Sequence, residues 1–156
     1  MYKVSAGILL FRRKPNLQLL LAHPGGPLWW DEDEGVWSVP TGRVTNSQSP
    51  LEAARIQFQT IFGFIPEGSY LELGTTKTSD GGQIHLWATE HQISDDFIFE
   101  PELFEMEWPP ESGQKETFPI IDRIEYFGAF EARQKLVAEQ RIFIGRLIDQ
   151  CSKKER

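Results

Sequence analysis

The sequence predicts a single α/β domain with a mixed sheet sandwiched between helices, and three observations carry the prediction. Strand-like apolar runs come in hairpin pairs, one strongly capped helix separates the first pair from the second, and the chain closes on helical periodicity. With 156 residues the chain can build a real core and matches the common size of one domain. No repeat, low-complexity tract or linker divides it, so residues 1–156 are read as one unit.

Residues 2–12 and 17–23 read as two strands joined by Lys14, Pro15 and Asn16, which are turn formers. Residues 24–35 form a loop rich in Gly, Pro, Trp and acids, and 36–39 a short strand that Pro40 stops. Residues 41–49 read as a polar loop opened by Gly42. A helix follows: Ser49 is its N-cap, Pro50 its first residue, and Glu52 completes a capping box. Leu51, Ala54, Phe58, Ile61 and Phe62 recur at helical spacing, and Gly63 ends the helix. Two more strands, 70–78 and 83–91, flank the hairpin turn Asp80-Gly81-Gly82. Residues 103–108 and 123–127 read as further strands and 109–113 as a loop. Residues 129–150 are helical with a break near 139–141, and 152–156 form a frayed, charged tail.

The formal net charge of −7 argues against a broad nucleic-acid or anionic-membrane surface, since both need a basic footprint. It leaves room for a pocket that holds one nucleotide. The apolar run Ile8 to Phe11 is too short for a membrane span, and no small-residue cleavage site follows it. The lone Cys151 excludes an intrachain disulfide and suits a reducing compartment, so the expected location is the cytoplasm. Cys151 itself reads as a helix-face residue.

Several residues are candidates for a site. The Gly25-Gly26 turn lets a phosphate approach the backbone, or is a plain loop. Trp29, Trp30 and Trp37 are available to stack on a base, with at least one of them expected in the core. Asp31, Glu32, Asp33 and Glu34 read as a solvated loop. Glu105 and Glu107 share one face of a strand, turned either to a pocket or to water. His23, His85 and His91 lack metal-ligand spacing and default to packing or surface roles.

Residues 42–64 resemble the Nudix box, a glycine-led loop followed by a helix that carries glutamates and an arginine. Gly42, Phe58, Gly63 and Phe64 match its frame in register. Gln48 stands at the box's first glutamate, Ile56 and Gln57 at its Arg-Glu pair, and Thr60 and Ile61 at its Glu-Glu pair. The surroundings resemble one bacterial Nudix branch, described as predicted NTP pyrophosphohydrolases. The matching stretches are Ser5-Ala6-Gly7, His23 to Pro27, Trp37 to Pro40, Phe104 to Pro110, Ser112-Gly113, Phe118-Pro119 and Asp122-Arg123. The likeness covers roughly residues 3 to 148, and it implies a Nudix-type α/β/α sandwich and, for an active member, Mg²⁺ or Mn²⁺.

Nudix enzymes hold those ions on the box glutamates, because hard cations need anionic oxygen ligands. With Gln57, Thr60 and Ile61 in those places no catalytic residue is assigned, and the sequence predicts a weak or inactive hydrolase. Gln48 and Ile56 replace both partners of the pair that braces the family's loop, so neither charge is stranded. Glu52 is accounted for by capping, and Ile120 stands where relatives tend to carry an acid. Arg43, in place of a common glutamate, is free to meet a phosphate or water, and Asp122 and Arg123 read as a structural ion pair.

The leading expectation is therefore a binder of a small phosphorylated or nucleotide-like ligand through Gly25, Gly26, Trp30, Trp37, Gly42 and Arg43. One alternative is a hydrolase that recruits metal through Glu105 or Glu107. The other is a scaffold without a small ligand. A homodimer fits the family habit.

Overall fold

Residues 3–154 are described in the computed structural model, and within them β1 (Val4–Arg12) is the strand around which the rest is arranged. Ile8 and Leu10 point into one apolar cluster and Leu9 and Phe11 into another. Burial on both faces is why this strand reads as a continuous apolar run rather than an alternation.

Along one side β1 pairs in parallel with β5 (Gln83–Glu90), from Val4↔Gln83 to Phe11↔Glu90. Two strands share its other side. β2 (Gln18–Pro24) pairs antiparallel near the end of β1, through Phe11↔Leu19 and Arg12↔Gln18. β3 (Thr41–Arg43) pairs antiparallel near its start, from Ser5↔Arg43 to Gly7↔Thr41. β4 (Leu71–Lys77) flanks β5, and β8 (Ile121–Gly128) flanks β2, giving the mixed order β4-β5-β1-β2-β8 with β3 attached to β1. β6 (Leu103–Glu107) and β7 (Lys115–Pro119) form a separate two-stranded sheet.

Helix α1 (Pro50–Phe62) covers one face with Ala54, Phe58 and Phe62. Helices α2 (Ala129–Lys135) and α3 (Ile142–Lys154) cover the other with Ala132, Phe143, Ile144 and Leu147. The result is the expected α/β/α sandwich. The start of α1 follows its sequence signal: Ser49 Oγ accepts from the Glu52 amide at 3.2 Å, Pro50 opens the helix, and Gly63 ends it at φ 84°.

The differences lie in short elements. Residues 36–39 are not a strand; Ser38 makes one isolated bridge to Ala22 and Trp37 another to Leu136. Residues 41–43, expected in a loop, pair as β3, because β1 offers free main-chain groups where β2 diverges from it. β7 carries no sequence signal, because residues 115–117 are polar and exposed and show no alternation. The helical break falls at Leu136 and Val137, where the backbone turns extended and Val137 donates to the Trp37 carbonyl. A short 3-10 turn, Ala138–Gln140, then leads into α3. Residues 152–154 of the expected tail belong to α3, while Tyr2 and residues 155–156 lie outside the described residues.

Candidate functional site

The loop–helix frame is held by a close approach. Gly42 sits on β3 under α1, where an added β-carbon would lie 2.8 Å from Gln57 Oε1 and 2.9 Å from Gln57 Cβ. Only glycine lets the helix come down onto the strand this tightly. Gln57 and Ile61, one helical turn apart, then face a narrow cavity of about 90 Å³. Its other walls are Phe99, Pro101, Glu102, Ile120 and Ile121.

The remaining box positions do not line that cavity. The Thr60 hydroxyl donates to the Ile56 carbonyl at 3.0 Å, and Ile56 is exposed. Gln48 Oε1 accepts from the Thr45 hydroxyl at 3.0 Å and from its amide at 3.3 Å, a neutral brace inside the loop. Ile61 is half-buried against the cluster of Phe58 and Phe62, as its place on the apolar stripe requires.

A divalent ion does not fit this helix face. Gln57 and Thr60 offer one neutral oxygen each and Ile61 offers no ligand at all, whereas a Mg²⁺ octahedron is anchored by one or two carboxylates. Glu102 is the one carboxylate on the cavity wall. Among the described residues no group of three His, Cys, Asp or Glu is placed to hold a metal ion.

The glycine turn is packed rather than open. The Gly25 amide donates to the Ile120 carbonyl at 2.8 Å, and a β-carbon there would meet the Pro119 carbonyl oxygen at 1.9 Å. Gly26, at φ 95°, lies under the Phe104 ring, and both glycines are buried. Their backbone therefore docks the β7–β8 connection, a use that competes with phosphate binding.

The tryptophans separate. Trp37 is 1% exposed, donates from Nε1 to Asp33 at 2.9 Å, and packs edge-on against Phe127 and His23. It is core, so the expected stacking role does not fit it. Trp30 is 54% exposed and makes T-shaped contacts with Trp108 and Phe118, so part of its ring surface is open to solvent. Arg43 is exposed at the end of β3.

Glu105 and Glu107 lie on the face of β6 opposite Phe104, whose ring turns inward to Gly26 and Phe118. Glu105 sits 3.7 Å from Lys115, and Glu107 accepts from the Glu111 amide at 2.9 Å. Both are exposed, so they point away from the cavity.

Asp122 lies 3.8 Å from Arg123, the expected pair, but its closer partner is buried His23, with Nδ1 at 2.7 Å. The second ring nitrogen of His23 donates to the Glu32 carbonyl at 2.7 Å, tying the acidic loop to the sheet. That triangle spans distant parts of the chain, and local sequence carries no signal for it. The cavity walls Phe99, Pro101 and Glu102 were missed for a similar reason: their stretch has neither helical nor strand periodicity. Broader, more open depressions lie elsewhere, between β4 and α3 and at the β1–β2 turn.

No protein-family model and no curated protein matches the chain by sequence. Solved structures match it by shape. An Ap4A hydrolase from C. elegans, in a binary complex, superposes with a TM-score of 0.67 at 13% identity over 96% of this chain and 98% of that one. The NUDIX domain of Shewanella oneidensis NrtR, complexed with ADP ribose, gives 0.60 at 12% identity over 100% and 90%. A MutT protein from Methanosarcina mazei Go1 gives 0.60 at 13% identity over 96% and 95%. At such identities the likeness speaks for the fold.

Proposed function

From the premise that this chain has the Nudix fold, we propose that it is a metal-independent binder of a nucleotide-like ligand with little or no hydrolase activity. One observation carries the reading. The helix face that meets the cleft presents Gln57 and Ile61 to Ile120 and Ile121, where pyrophosphate hydrolysis needs metal-holding carboxylates. A box so altered is degenerate in chemistry and intact in frame, since Gly42 still seats Gln57 and Gly63 still ends the helix.

The chemistry left is recognition. The Gln57 amide supplies a donor and an acceptor, and Glu102 accepts from a ligand N–H. The isoleucines and Phe99 form apolar walls for the edge of a flat ring, and Trp30 offers a stacking face. Arg43 is the cation nearest in sequence to Gly42 and would meet a phosphate without a metal. The hydrolase alternative needs acids from outside the box, and Glu105 and Glu107 turn away from the cavity. We assign the protein to the cytoplasm as one functional domain, in line with its single buried cysteine, Cys151; no helix among the described residues is long and apolar enough to cross a membrane.

The test is calorimetric titration with ADP-ribose and with a diadenosine polyphosphate in excess chelator. Saturable binding of either, weakened by Ile61→Glu, is the expected result. Binding that appears only when Mg²⁺ or Mn²⁺ is restored, with turnover, would return the chain to the hydrolases.

A further inference from the structure

We propose that the cleft at the β1–β2 turn is a second binding site, built for an organic phosphate monoester. Two depressions of about 520 Å³ and about 240 Å³ meet there, sharing Arg12 and Gln92 as walls. The first is walled by Arg12, Arg13, Lys14, Glu90 and Gln92. The second is floored by Leu20, Ile124 and Tyr126. The one half is therefore cationic, and the other sets Leu20, Ile124 and Tyr126 beside Ser94, Asp95 and Glu125.

Arg12 is preorganised. Its guanidinium lies 3.8 Å over the Tyr126 ring, and its Nε donates to Gln18 at 2.6 Å. Tyr126 is fixed in turn, because its hydroxyl donates to the His91 carbonyl at 3.2 Å. Those contacts hold the fork from behind and below. They leave the four N–H groups on the two terminal nitrogens to grip a phosphate as a planar, bidentate donor, which a lysine cannot imitate.

Charge selects the ligand class. Arg13 is taken by Glu90 through bonds of 2.9 Å and 2.8 Å, so that pair adds no net charge. Arg12 and Lys14 remain, which suits the roughly −2 charge of a phosphate monoester near neutral pH. Asp95 and Glu125 line the second half. They oppose a second anionic group there, so an uncharged ring or chain over Leu20 and Ile124 is favoured over a polyphosphate. The site shares no lining residue with the box-helix cavity. It lies at the end of β1, whereas β3 and the box frame pair with the start of that strand.

The probes are phenyl phosphate and inorganic phosphate, titrated into the full chain by calorimetry. Saturable one-to-one binding of phenyl phosphate, tighter than inorganic phosphate, is expected. Arg12→Gln is expected to weaken it by about tenfold or more, the scale of a lost charge-assisted hydrogen bond. Lys14→Gln, on the exposed turn, is expected to weaken it severalfold while leaving the fold untouched. It decides the matter even if Arg12→Gln unfolds the chain by losing its place on Tyr126. No saturable binding, or an affinity unchanged in Lys14→Gln, would overturn the site. Equal affinity for inorganic phosphate would overturn the monoester assignment.

Discussion

Gly25 shows how much a single atom decides at this site. A methyl group there would sit 1.9 Å from the Pro119 carbonyl oxygen, a backbone atom that cannot swing aside. Gly25→Ala is therefore expected to lower unfolding stability by about 3 kcal/mol, the upper range for overpacking, read from the urea midpoint. A second residue-scale prediction concerns pH. The Lys135 ammonium, 2.5 Å from Asp33 Oδ2, and then the Trp37 indole N–H hold the Asp33 carboxyl below the usual carboxylate range. A depressed folded-state pKa gives stability that is present above the unfolded value, near pH 4, and is lost as pH falls through the folded one. The stability gap between the parent and Asp33→Asn is thus expected to be widest at neutral pH and to close in acid, in denaturation curves taken across that range. The sequence shows that Gly25 and Asp33 sit in a loop. It does not show that Pro119 and Lys135, roughly a hundred residues away, are what they meet.

Among the elements, α1 was the most legible, because its signals are local: a capping serine, a first-turn proline, an apolar stripe and a terminal glycine all lie within the helix or beside it. β3 was not legible, and the strand expected over 36–39 keeps only single bridges at Ser38 and Trp37; segments this short carry no periodicity, and their pairing comes from β1, β2 and Leu136. The same helix gives the element-scale prediction. Gln57→Glu, Thr60→Glu and Ile61→Glu together place three carboxylates on one helical face. They are expected to raise Mn²⁺ affinity about tenfold or more over the parent. The cost, from charge at half-buried Ile61, is roughly 1–3 kcal/mol in stability. No gain in calorimetric Mn²⁺ titrations would mean that these three side chains do not converge.

At the scale of the whole molecule, the sandwich followed from the order of elements and from the doubly buried β1, and both were readable in advance. The candidate site was readable in part. The resemblance singles out Gln57, Thr60 and Ile61 on α1, and of these Gln57 and Ile61 line the cavity. The walls brought by residues 99–102 and 120–121 depend on how the chain returns over the sheet, which no local pattern encodes. On the proposed reading, this face of the fold offers amide and hydrocarbon where a metal-dependent hydrolase would carry carboxylates.

The most direct test of that claim is a calorimetric titration of the unaltered protein with Mn²⁺. No saturable heat at micromolar metal is expected, because Gln57, Thr60 and Ile61 cannot supply anionic oxygens. A one-to-one site of micromolar affinity, abolished by Gln57→Ala, would contradict it and put a working metal centre on the helix.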